Sequence, residues 1–156
     1  MAIGDAVRAA QATFPSLQIQ TPHGPYTLIT VMVAIAGAET GWDPLQAGDA
    51  GLRGPSCDGA ARGQPVVAAT SWGLWQIHNV HAAFLRAQTG SDDPCRWAQW
   101  LYTPDNNALA ALHVLGPDPQ AGLENWSSWG GCWTSWPAGQ GPYLKYLTAA
   151  AQAIGA

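Results

Sequence analysis

The chain has 156 residues, which predicts a single domain large enough to bury a hydrophobic core. Its formal net charge is −4, which argues against nucleic acid as a partner, and only 10% of its residues are charged. Nine tryptophans are more than a core of this size requires, and aromatic rings in clefts often stack on sugar rings.

The sequence carries neither an obvious membrane span nor an export signal. No apolar run reaches the roughly 18 residues that a membrane-spanning helix needs. The N-terminal stretch, MAIGDAVRAAQATF, lacks the basic start and the unbroken apolar run of a signal peptide. We therefore expect a protein that acts inside the cell or reaches its target without the usual export route.

The first predicted elements are two helices separated by a connector. Residues 3–14 have apolar side chains on one face and predict a short helix. Residues 15–25 are rich in proline and glycine, which predicts a turn-rich connector. The next segment, residues 25–44, predicts an apolar, amphipathic helix that ends before Gly41.

Glu39 closes this central helix. Leu28, Met32 and Ile35 share a helical stripe with it, so its carboxyl should point into the interior or at a cleft wall. Partial burial and the C-terminal end of the helix dipole both disfavour the charged form. We therefore expect a raised pKa, which suits a general acid. The alternative is that Glu39 ends a core helix and reaches solvent past Gly41.

A long glycine-rich segment, residues 40–72, follows and predicts a functional loop or a small hairpin. Beyond it, helices are predicted where a cap precedes proline or where glycine ends an apolar period. These helices span residues 80–88, 93–101, 103–115 and 118–129, and a last one begins at Pro142. The predicted fold class is mainly α, with any sheet confined to residues 40–77.

Three cysteines, Cys57, Cys95 and Cys132, permit at most one internal disulfide. We expect any disulfide to join Cys57 or Cys132 to Cys95. Their spacing does not match a zinc site. His78 and His81 lie three residues apart at a helix start, but a metal site there is the weaker interpretation, so we expect no metal and no cofactor.

Four segments carry the information about function. They are Glu39-Thr40-Gly41-Trp42, Ser71-Trp72-Gly73-Leu74-Trp75-Gln76-Ile77, Thr103-Pro104-Asp105-Asn106-Asn107, and an aromatic and glycine cluster at residues 126–133. Their order and spacing resemble the lysozyme-like superfamily, most closely its lytic transglycosylase and goose-type lysozyme branch. The resemblance runs over residues 26–150, nearly the whole chain.

The resemblance implies a lysozyme-like fold in which residues 1–156 form a single catalytic domain. It implies a bacteriolytic glycosidase, either a lytic transglycosylase or a lysozyme (muramidase). Such an enzyme cleaves the β-1,4 bond between N-acetylmuramic acid and N-acetylglucosamine in peptidoglycan, with Glu39 as the general acid. The glycan strand is then its partner, and Ser71, Gly73, Gln76 and Ile77 line the substrate site.

This chain departs from the family pattern at two places. Trp75 stands where the family has methionine, and Ser128-Trp129-Gly130-Gly131 stands where the family has Ala-Tyr-Asn-Ala-Gly. We therefore expect Trp75 and Trp129 to contribute to rebuilt sugar subsites. The alternative for Trp75 is plain core packing.

A second catalytic group would separate the two possible reactions. An inverting hydrolase needs a base that positions water, and the resemblance implies that Asp49 supplies it. The family's other acidic position is His78 here, which we expect at the substrate site. A lytic transglycosylase needs no such base, because the C6 hydroxyl of the substrate attacks. The alternative for Asp49 is a solvated turn residue before glycine.

Two other classes of function stay open. One is a non-catalytic module that binds cell-wall glycan, in which Glu39 is structural. The other is a phage tail structural domain that inherited the fold. The missing signal peptide favours a bacteriophage endolysin or a virion-associated lytic domain that acts at the bacterial cell wall. We expect a monomer unless the chain is part of a virion assembly.

Overall fold

The computed structural model describes residues 3–48, 55–59, 67–126 and 142–155, and helices hold most of them, as predicted. In chain order the elements are α1 (Ile3–Thr13), β1 (Gln18–Thr21), β2 (Gly24–Thr27), α2 (Leu28–Thr40), β3 (Ala47–Gly48), β4 (Cys57–Gly59), β5 (Val67–Ala69), β6 (Ser71–Trp72), β7 (Ile77–His78), α3 (Ala82–Thr89), α4 (Pro94–Leu101), α5 (Pro104–Leu115), α6 (Pro119–Gly122) and α7 (Pro142–Gly155). Short 3₁₀ helices cover Asn79–His81 and Leu123–Asn125.

Helix α2 is the centre of the fold. The Thr27 hydroxyl caps its start by accepting from the backbone N–H of Thr30, 3.1 Å away. Gly41 ends it in the left-handed conformation, with φ 60°. Every residue from Thr30 to Gly37 is buried, because α2 packs against α1, α7 and the β1–β2 hairpin. The predicted helix is confirmed, but the prediction that it is amphipathic is wrong.

The β1–β2 hairpin lies where the sequence predicted only a connector, and it extends the sheet structure outside residues 40–77. The two strands pair antiparallel with Thr21 opposite Gly24. The Thr21 hydroxyl tightens the turn by donating to the Gly24 carbonyl at 2.7 Å and accepting from the His23 N–H at 3.0 Å. Only Ile19 in this hairpin is buried, so no alternating apolar pattern marked the strands.

A small antiparallel sheet, in the order β3-β6-β7, lies beside the end of α2. Trp72 pairs with Ala47 on one side and with Ile77 on the other. The Thr40 hydroxyl connects α2 to the turn between β6 and β7, because it lies 2.8 Å from the Ala36 carbonyl and 3.3 Å from the Leu74 carbonyl. The sheet thus places the Ser71–His78 segment next to Glu39.

The later helices follow their sequence signals except at α6. The prolines at positions 94, 104 and 142 begin α4, α5 and α7 as predicted. Helix α6 ends at Gly122 rather than at Trp129. A Cβ on Gly122 would lie 1.9 Å from the Leu115 carbonyl oxygen, so the end of α6 packs directly on α5. The chain then continues as a 3₁₀ turn.

Several of the tryptophans whose number suggested a cleft are core residues. Trp72, Trp75 and Trp97 have no exposed surface, and Trp126 is 5% exposed. Trp42 and Trp100 are partly buried and pack against the same core. Within the described residues, no helix has both the length and the apolar character needed to cross a bilayer.

A disulfide bond joins Cys57 on β4 to Cys95 in the first turn of α4, with the Cα atoms 4.9 Å apart. This is one of the two pairings that the sequence predicted. It links residues 38 positions apart, so it connects the strand region to the helices that follow. Cys132, the third cysteine, lies outside the described residues.

Loss of this bond is expected to lower the free energy of unfolding by about 2–4 kcal/mol, because the unfolded chain regains the freedom of a long loop. Urea unfolding of the oxidised protein, the reduced protein and Cys95→Ala measures the effect. Reductant should not destabilise Cys95→Ala any further. Thiol titration of the denatured parent should find one thiol before reduction and three after it, and three before reduction would contradict the bond.

Candidate active site

A cleft of about 510 Å³ opens at the C-terminal end of α2, within the size range of small-molecule sites. It brings together the end of α2, the strands β6 and β7, the start of α3 and the turn after α6. The lining residues are Glu39, Ser71, Gln76, His78, Val80, His81, Asn125 and Trp126. Among the described residues that line it, Glu39 is the one carboxylic acid.

Glu39 is half-buried in the last turn of α2, and the turn after it is held firmly. Trp42 adopts φ 64°, which is rare for a bulky residue. Its indole N–H donates to the Val33 carbonyl at 2.8 Å, and its ring meets Tyr146 of α7 edge-on with centroids 5.6 Å apart. A Cβ on Gly37 would lie 2.6 Å from the Trp42 ring, so glycine is needed there. These contacts hold in place the turn that follows Glu39.

Gly73 and Trp75 face the core, not the cleft. Gly73 has φ 81°, and a Cβ on it would lie 2.1 Å from the Asn107 amide nitrogen. Its small size therefore permits packing on α5, and it is not among the described residues that line the cleft. The Trp75 indole donates to the Met32 carbonyl at 2.7 Å and packs edge-on against Phe14. With no exposed surface, the Trp75 side chain is a core residue, which corrects its assignment to a sugar subsite.

Asn107, at the first turn of α5, holds the β6–β7 turn in place. It is fully buried, and its side-chain oxygen accepts from the Trp75 backbone N–H at 2.9 Å. Its amide nitrogen donates to the Trp72 and Leu101 carbonyls, each at 2.9 Å. The bonds to Trp75 and Trp72 anchor the turn that leads to Gln76, and the bond to Leu101 ties the same side chain to the end of α4, so Asn107 supports the floor of the cleft.

Gln76 and Ser71, two of the predicted site residues, border the cleft. Gln76 has φ 48°, and its amide nitrogen donates to the Gln46 carbonyl at 3.2 Å and the Gly73 carbonyl at 3.0 Å. Both of its amide hydrogens are thus used within the protein, and its side-chain oxygen lies close to Gly48 of β3. Ser71 is buried at the cleft wall.

Ile77 does not line this cleft. It is 2% exposed and borders a smaller cavity of about 50 Å³, which shares Gln76, His78, His81, Asn125 and Trp126 with the cleft. Asp49 and Trp129, the other two predicted site residues, lie outside the described residues.

Two histidines form part of the cleft wall. The His78 Nδ1 accepts from the Val80 backbone N–H at 3.2 Å, which caps the 3₁₀ turn. Burial, followed by the nearby His113 and His78 imidazoles, lowers the pKa of His81 from its ordinary 6.5. The His81 ring meets His113 of α5 edge-on, with centroids 6.0 Å apart. His113 in turn stacks on Phe84 of α3 at 4.2 Å.

Asn125 and Trp126 complete the cleft and were missed from the sequence. Asn125 donates its amide hydrogens to the Val114 and Gly122 carbonyls, at 3.1 and 2.9 Å. The Trp126 indole donates to the Trp75 carbonyl at 2.8 Å. The sequence signal for Trp126 was its place at the start of the aromatic cluster. For Asn125, which follows a helix end without a motif, there was none.

No protein-family model, curated protein or solved structure matches this chain. Within the described residues, no group of three or more His, Cys, Asp or Glu side chains is arranged to hold a metal ion. The chemistry of the cleft depends on the groups that line it. They are one carboxylic acid at a helix C-terminus, two imidazoles, two amide oxygens and an indole wall.

Proposed function

We propose that the protein is a peptidoglycan-cleaving glycosidase of the lysozyme-like superfamily, with Glu39 as its general acid. It acts on the β-1,4 bond between N-acetylmuramic acid and N-acetylglucosamine, at the bacterial cell wall. The observation that carries the proposal is the position of Glu39. It is the one carboxyl among the described residues that line the cleft, and it leaves a buried helix at that point.

We expect the end of α2 to favour the protonated form of the Glu39 carboxyl. It lies in the last helical turn, where the helix dipole opposes a negative charge, and it is half-buried, which weakens hydration of that charge. A proton held there can pass to the bridging oxygen as the glycosidic bond lengthens. Cleavage of a sugar acetal has an oxocarbenium-like transition state, and protonation of the leaving oxygen is its first requirement.

The other lining groups fit a glycan chain. The Gln76 and Asn125 side-chain oxygens can accept from sugar hydroxyls or from the N–H of an acetamido group, because their own amide hydrogens are already bound. The Trp126 indole is anchored to the Trp75 carbonyl and gives the cleft an apolar wall. The wall is therefore rigid and only partly polar, as sugar sites require.

Release of muropeptides from purified peptidoglycan tests the proposal. The enzyme should clear a turbid suspension of sacculi and release fragments that mass spectrometry identifies as disaccharide peptides. A protein that pelleted with sacculi but released no fragment would instead support a wall-binding module. A protein that neither bound nor cleaved sacculi would support the structural role in a phage tail.

A further inference from the structure

His78 and His81 both line the cleft with Glu39, but their nitrogens are used differently. The His78 Nδ1 accepts a hydrogen bond from the Val80 backbone N–H, so a neutral His78 carries its proton on Nε2. That tautomer presents a donor to the cleft. His78 can therefore hydrogen-bond a sugar oxygen, but it has no lone pair left with which to take a proton.

His81 has the opposite character. Among the residues that the structure describes, no hydrogen bond or ion pair engages its ring nitrogens, so a neutral His81 keeps a lone pair. It lies at the start of α3 and is held by the edge-on contact with His113, which is itself stacked on Phe84 with an interplanar angle of 16°. The ring is thus oriented by packing while its nitrogen lone pair stays available.

We propose that His81 is the general base that takes a proton from the attacking water, so that the enzyme is an inverting hydrolase and not a lytic transglycosylase. This inference rests on the proposed function of Glu39. As the bond between the anomeric carbon and the bridging oxygen breaks, the Glu39 proton moves to that oxygen. The water oxygen forms the new bond to the anomeric carbon, and its surplus proton moves to His81. Solvent then returns both groups to their starting states.

The electrostatics around His81 suit this role. Among the described residues, the titratable groups that act on it are His113 on α5 and His78 on β7, and Glu39 lines the same cleft. Burial is the largest cause that lowers its pKa below 6.5, and the two imidazoles lower it further. The ring is therefore neutral at neutral pH, as a base must be.

Product analysis of the parent enzyme is the first test. A hydrolase leaves reducing ends, and inversion leaves the anomer opposite to that of the cleaved bond, which proton NMR of fresh product detects. Anhydro ends without reducing ends would overturn the inference but leave Glu39 and the glycosidase proposal intact. Retained configuration would overturn it as well. Absence of any cleaved product would instead defeat the proposed function itself.

His81→Gln is the second test, with His23→Gln as the matched control in the β1–β2 turn. The rate of reducing-end formation should fall by about 10²–10⁴-fold in His81→Gln and stay at the parental value in His23→Gln.

The pH profile gives a further readout. The parental kcat/KM should fall as the pH drops through the lowered His81 pKa, and this acid limb should be missing in His81→Gln. Added azide should restore turnover in His81→Gln as a glycosyl azide, because an anionic nucleophile needs no base. A folded His81→Gln with parental rate and pH profile would overturn the assignment.

Discussion

Replacement of Glu39 by glutamine is expected to abolish most of the lytic activity while leaving the protein folded. The amide keeps the size and hydrogen-bonding capacity of the carboxyl but cannot give up a proton to the leaving oxygen. Positioned acid catalysis contributes roughly 10²–10⁴-fold, so muropeptide release should fall by at least that range. Release from purified sacculi, followed by chromatography and mass spectrometry, measures it.

Two further measurements on Glu39→Gln separate a catalytic role from a structural one. The variant should still pellet with sacculi, because Gln76, Asn125 and Trp126 are unchanged. Its thermal midpoint should equal or exceed that of the parent, since an amide, unlike a carboxyl, cannot ionise at the C-terminal end of α2. A fall in stability with loss of binding would favour a structural Glu39.

Glu124→Gln is the matched control, because the chain has only two glutamates and Glu124 is exposed on the 3₁₀ turn before Trp126. Its activity and stability should stay close to the parental values. A Glu39→Gln protein that cleared sacculi at the parental rate would end the assignment of Glu39 as the acid.

Local chemistry explains why most helices could be predicted from the sequence. The pair Asp93-Pro94 is sufficient to predict a helix start. Proline fits the first turn, and the Asp93 carboxylate accepts from the Cys95 N–H at 2.9 Å. Gly41 likewise ends α2, because glycine adopts the left-handed conformation without the steric cost of a Cβ. These signals need no information from distant parts of the chain.

Features set by tertiary packing were predicted poorly. The end of α6 depends on the fit of Gly122 against the Leu115 carbonyl, which no local pattern encodes. Trp75 lies next to Gln76 in the Ser71–Ile77 segment that resembles the family motif. Its ring nevertheless points into the core, where the indole N–H donates to the Met32 carbonyl. From the sequence, His81 could be identified only by its spacing of three residues from His78. Its place in the cleft depends on α3 meeting β7 and α5.

Asn107 is the residue on which the candidate site depends most for its shape, and Asn107→Leu is expected to be the most destabilising change considered. Leucine has nearly the same volume, but it leaves the Trp75 N–H and the Trp72 and Leu101 carbonyls without their present partner. Each buried group left unsatisfied costs about 1–3 kcal/mol. The three groups together give about 3–9 kcal/mol, which is a large fraction of the roughly 5–15 kcal/mol that holds a domain folded.

Asn106→Leu provides the comparison from the neighbouring position. Asn106 is only half-buried and makes one bond, from its amide nitrogen to the Trp100 carbonyl at 3.0 Å, so its loss should cost about 1 kcal/mol. Urea unfolding of both variants and the parent measures the difference. Where Asn107→Leu still folds, its lytic activity should also fall, because the backbone that carries Gln76 has lost its anchor on α5. Equal unfolding free energies for the two variants would show that the three Asn107 bonds stabilise the fold no more than the Asn106 bond does.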